Sequence, residues 1–92
     1  MTTLTTQQAE TILEILQGSD PAAELRTDYS GRSMFGKTCL GFVVSNPSIV
    51  GTAVALGLAD TELDPMLLMA TSRRDDMGRD HIVYFPGTTV QG

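Results

Sequence analysis

Ninety-two residues, with eleven acidic side chains against six lysines and arginines and a formal net charge of −5, hold one domain, residues 1–92, and are too few for a three-layer nucleotide-binding enzyme. The acidic balance also excludes a generic binder of long nucleic acid or of an anionic membrane, because phosphate contacts need a basic surface. A single cysteine, Cys39, rules out an internal disulfide, and the first residues lack a basic-then-apolar leader pattern, so the expected compartment is a cytoplasm.

The first element in chain order is a helix over residues 5–17. Thr5 and Gln8 stand in capping-box spacing, Ala9, Ile12, Leu13 and Leu16 share one face, and Gly18 follows as a stop. Residues 19–21, Ser-Asp-Pro, predict a turn, followed by strands near 25–29 and 38–45. Asn46 and Pro47 then supply a cap and a fixed φ for a second helix reaching about Ala59. No charge occurs between Cys39 and Ala59, but Ser45-Asn46-Pro47-Ser48 breaks that run, so it predicts a buried strand and a buried helix rather than a membrane span. A helix this apolar on so small a domain is expected to meet a second subunit as well as its own sheet, which makes a homodimer the expected assembly. Residues 61–65 predict a linker, and the acids in and beside it, Asp60, Glu62 and Asp64, are solvated charge without the grammar of a calcium loop. Two further strands are expected at 66–72 and 81–85, joined by a polar turn over 73–80, with residues 88–92 as a loose tail.

Helix-strand-strand therefore occurs twice, in halves of about 5–45 and 46–87, and a gapless shift lays Leu16 on Leu58, Leu25 on Leu67, Arg32 on Arg74 and Gly36 on Gly78. The expected fold class is α+β: two such halves, related as a possible internal repeat, form one antiparallel sheet of about four strands with two helices on one face.

Chemistry concentrates in the two corresponding turns. Residues 31–38, Gly-Arg-Ser-Met-Phe-Gly-Lys-Thr, satisfy the phosphate-loop formula G-x-x-x-x-G-K-[ST]. A working phosphate loop follows a buried strand and opens a helix. Here the preceding segment is charged at alternate positions and the following one, Cys-Leu-Gly-Phe-Val-Val, is a strand former, so the motif predicts a turn between strands, and a degenerate ATPase is only an alternative. As an anion site the turn would use Gly31 and Gly36 to bring backbone amides close, Arg32 and Lys37 for charge, Ser30, Ser33 and Thr38 for hydroxyl contacts, and Tyr29 or Phe35 to stack on a base. Arg73, Arg74 and Arg79 occupy the second turn, where Asp75, Asp76 and Asp80 cancel their charge. Arg74 and Arg79 are the second turn's candidate ligand contacts. Met34 and Phe35 are neighbours, so an extended chain would expose one of them beside Arg32 as an anchor for a partner protein. Cys39 and His81 occupy matching positions, the minimum for thiol chemistry, but each lies in an apolar strand and no oxyanion donor accompanies them, and no metal or cofactor set is present.

The run Tyr29-Ser30-Gly31-Arg32-Ser33-Met34-Phe35-Gly36 resembles the core of a family of short phage-encoded proteins, especially of actinobacteriophages, in which Tyr-Ser-Gly-Arg-x-Met-aromatic-Gly recurs. Ser33 stands where glycine is the commoner residue. The resemblance implies a viral protein that works in the host cytoplasm, by binding host components or by sequestering the small signalling nucleotides of host defence. The expected function is accordingly non-enzymatic binding of a phosphate-bearing small ligand through residues 30–38, with antagonism of a host protein as the alternative.

Overall fold

The computed structural model describes residues 2–31 and 34–92, and its fold is α+β. Six strands and three helices follow one another as β1 (Thr2–Thr5), α1 (Thr6–Ser19), β2 (Glu24–Tyr29), β3 (Cys39–Val44), a single 3-10 turn (Pro47–Ile49) running into α2 (Val50–Gly57), α3 (Pro65–Thr71), β4 (Arg73–Met77), β5 (Asp80–Phe85) and β6 (Thr88–Gln91). β2, β3, β5 and β4 form an antiparallel sheet in that spatial order, while β1 and β6 form a separate parallel pair.

The expected capping box starts α1: the Thr5 hydroxyl accepts from the Gln8 amide at 3.1 Å, and the Gln8 side chain accepts from the Thr5 amide at 2.8 Å. Ala9, Ile12 and Leu16 put the buried stripe of that helix onto the sheet. At its C-terminal end Asp20 is buried, and its carboxylate accepts from the Ser45 amide at 2.7 Å and the Ala22 amide at 3.3 Å. One side chain thus ties the exit of α1 to the exit of β3. Asn46 caps the 3-10 turn, and Val50, Ala53 and Val54 of α2 are buried within the chain itself.

Five sequence expectations are corrected. Residues 66–72 are not a strand: Asp64 accepts from the Met66 amide at 2.9 Å, Pro65 fixes φ in the first turn, and Met, Leu and Ala carry α3. The supposed polar turn over 73–80 is mostly β4, a charged edge strand of the kind that resists further pairing. Residues 88–92 are not a loose tail, because β6 pairs with β1 in the register Thr2 with Thr88 to Thr5 with Gln91. Three helices, not two, lie against the sheet. The gapless repeat lays β3 on β5 but lays β2 on α3, so the two halves do not share one order of elements.

One sheet face carries Leu40, Phe42, Val44, Val83 and Phe85 against Leu4, Ile12, Leu16, Val50, Val54, Leu58 and Leu68, with Phe42 and Phe85 edge to face at 6.2 Å. The opposite face has no helix. Cys39, Val43, Ile82 and Tyr84 are nevertheless buried there, packed with Tyr29 and Met34. Part of that cover is Tyr29 at the end of β2 and Met34 in the loop that follows it. Among the described residues, no helix is long and apolar enough to cross a membrane.

Candidate functional site

Tyr29 ends β2 and lays its ring across the helix-free face. Its phenol passes over β3 and β5 and donates to the Asp75 carboxylate on β4 at 2.7 Å, while the ring sits 4.8 Å from that of Tyr84. Burial, followed by the hydrogen bond to Asp75 and that carboxylate's charge, holds the phenol well above its usual pKa. Tyr29 is therefore a strut under the loop, not a platform waiting for a base. Gly31 continues the same packing: a Cβ there would lie 2.7 Å from the Tyr84 ring, closer than any side chain tolerates. Met34 folds back beneath, its sulfur taking the Gly31 amide at 3.0 Å and lying 4.0 Å from the Cys39 sulfur.

Above this base the chain makes a tight turn, closed by the Lys37 amide on the Met34 carbonyl at 3.0 Å. Phe35 and Gly36, its central residues, have φ of +54° and +83°, the signature of a type I′ turn. Glycine suits that backbone and phenylalanine does not. Phe35 is also 95% exposed, the most exposed of the large apolar side chains among the described residues, ahead of Met66, Leu67 and Leu56. Beside it Lys37 and Thr38 line an open groove of about 630 Å³ whose far wall is Pro86, Gly87 and Thr89. Among the described residues Arg26 pairs with Glu24 at 3.0 Å and His81 Nδ1 lies 2.5 Å from an Asp76 carboxylate oxygen, and no carboxylate compensates Lys37. Arg32 and Ser33, two of the expected contacts, lie outside the described residues. Ser30 is exposed at the loop's entry.

The motif is thus a bend between extended segments, as its flanks predict. Cys39–Val44 is a strand, so no helix N-terminus follows the glycines, and the Gly31 and Lys37 amides are already engaged by Met34. A phosphate here would meet the Lys37 and Thr38 side chains rather than a cradle of amides.

Lys37 and the second basic group do not converge. β3 and β5 run antiparallel, which puts the 30–38 loop at one end of the sheet and the β4–β5 turn, with exposed Arg79, at the other. Arg74 lines a different groove, of about 620 Å³, together with Arg73, His81, Asn46, Ser48 and Ser72. The charge cancellation suggested by the sequence is also wrong locally, because Asp75 turns to Tyr29 and Asp76 to His81.

Cys39 and His81 are no couple either. Cys39 is buried at the start of β3 on the helix-free face, whereas His81 pairs with Val44 at the strand's other end. Burial pushes the thiol's pKa up, against a smaller opposing effect of its hydrogen bond to the Phe85 backbone, which keeps the sulfur protonated and poorly nucleophilic. Among the described residues, no group of three or more His, Cys, Asp or Glu could hold a metal ion. No family model, curated protein or solved structure matches this chain.

Proposed function

We propose that this chain is a non-catalytic binding module that docks on a protein partner through the 30–38 loop, with Phe35 as the anchor and Lys37 as its flanking cation. The observation that carries this reading is Phe35 itself, 95% exposed and in left-handed backbone. An L-residue in that conformation loses roughly 1–2 kcal/mol, and a solvated phenyl ring contributes no packing in return. Nothing within the fold needs a phenyl group there. A partner with an apolar pocket rimmed by carboxylates would bury the ring and pair with Lys37, the pattern of an aromatic hot spot with a charged neighbour. Tyr29, Gly31 and Met34 are tied to the sheet or to one another, which gives the neighbouring Phe35 a fixed base. The resemblance of residues 29–36 to short phage proteins favours a host protein as that partner. Engagement of the Gly31 and Lys37 amides within the loop favours docking over a phosphate-bearing ligand at the same turn.

Capture from host lysate on immobilised protein, followed by quantitative mass spectrometry, tests it. Phe35→Ala is expected to lower recovery of one partner about tenfold or more while its melting temperature stays unchanged. Leu67→Ala, a control at another exposed apolar residue, is expected to keep the partner. Equal capture by wild type and Phe35→Ala would remove the basis of the proposal.

A further inference from the structure

Arg73-Arg74-Asp75-Asp76 reads in sequence as two charges neutralising two others, and the fold pulls them apart. Strand alternation sends Asp75 to the helix-free face, where it accepts from the Tyr29 phenol at 2.7 Å. Asp76 is taken by His81, with Nδ1 and Oδ1 2.5 Å apart. No carboxylate comes within ion-pair distance of Arg73 or Arg74 among the described residues, whereas Arg26 on the opposite edge strand does have its glutamate.

Arg74 pairs across the sheet with Val83, and His81 with Val44, both members of the helix-side core, so both stand on the helix-covered side of β4 and β5. The groove they line has its other wall in Asn46 and Ser48, at the entry to the 3-10 turn, and Ser72, at the end of α3. Asn46 Oδ1 accepts from both the amide and the hydroxyl of Ser48, at 3.1 and 2.7 Å, which leaves its NH2 group as the donor for anything in the groove. His81 keeps Nε2 on the side away from Asp76. The groove also has an apolar portion, Pro47, Met69 and Val83, and its volume of about 620 Å³ suits a small organic molecule rather than a bare ion.

From this arrangement we propose that the groove between α3 and β4 binds a phosphate-bearing small molecule, with Arg74 as the bidentate phosphate contact, the Asn46 NH2 as a supporting donor, and Met69 and Val83 against the organic part. The uncompensated charge of the Arg74 guanidinium favours a phosphate dianion over a monocarboxylate, and its planar fork matches phosphate oxygens in pairs. The site is independent of the 30–38 loop, which lies at the other end of the sheet.

Amide-resolved NMR titration at constant ionic strength, using inorganic phosphate, ribose 5-phosphate and acetate on the intact chain, tests the proposal. The expected result is saturable shifts at Asn46, Ser48, Ser72, Arg74 and His81, with the sugar phosphate bound more tightly than phosphate and acetate least. Arg74→Gln, at an exposed position, is expected to keep the melting temperature and weaken sugar-phosphate binding about tenfold, the scale of one lost charge-assisted contact. Lys37→Ala is expected to titrate like wild type. Drift without saturation, acetate matching phosphate, a sugar phosphate no tighter than phosphate, or an unaffected Arg74→Gln would each overturn the assignment.

Discussion

Phe35 loses stability through its backbone angle and recovers none through packing, so the residue can be improved for folding. Asparagine tolerates left-handed φ because its short side chain bonds locally. Phe35→Asn is therefore expected to stabilise the chain by about 0.5–1 kcal/mol, raising the melting temperature by a few degrees, and to abolish partner capture at the same time. Thermal unfolding followed by circular dichroism checks the first half, and the lysate experiment the second. Unchanged or lowered stability would mean that the ring is held by contacts its exposure does not reveal. Gly31 is the converse case, since its missing side chain is what lets the loop lie on the Tyr84 ring. Two glycines of one motif thus have different reasons, a close approach at Gly31 and a positive φ at Gly36, and neither reason is a ligand.

The loop and the sheet meet through the Tyr29 phenol, and this junction has a pH signature. Its folded pKa is raised above the unfolded value near 10, so the proton and its bond to Asp75 contribute fully below about pH 10. Above that pH the unfolded chain ionises first, and the contribution is lost as pH climbs toward the folded pKa. Urea midpoints from about pH 9 to about pH 11 should fall more steeply for wild type than for Tyr29→Phe, and parallel curves would refute the assigned role. Elements with a local signal were legible in the sequence: the Thr5–Gln8 capping box, the Asn46-Pro47 start, the uncharged strand β3 and the bend before it. Asp64-Pro65 carried the same start signal as Asn46-Pro47, and Met66 to Ala70 has no β-branched residue, so α3 could have been read and its apolarity hid it. β4 lacked any apolar alternation because it is an exposed edge. In the candidate sites, adjacency of Met34 and Phe35 predicted that one of them would be exposed, and it is Phe35. The diversion of Tyr29, Asp75 and Asp76 did not, because it depends on which strands lie across the sheet from one another.

At the scale of the molecule the parallel pair β1–β6 closes the fold, and no local pattern announces it, since Thr3 and Thr89 stand 86 positions apart. Leu4 on β1 is fully buried in the main core opposite Val90, and Thr88 on β6 is buried opposite Thr2. Removal of residues 88–92 would leave the β1 backbone unpaired and open a path to Leu4, with an expected loss of about 3 kcal/mol or more, a large share of the stability of a domain this size. Urea denaturation of the shortened chain checks this. A midpoint equal to that of the full chain would show that β1 holds its place without β6.

The same pairing orders events during synthesis on the ribosome. Hairpins such as β4–β5 can close as soon as they emerge, but β1 has no partner until β6 has been made. Until then the nascent polypeptide carries the Leu4 strand unpaired, and that interval is when a chaperone would find it.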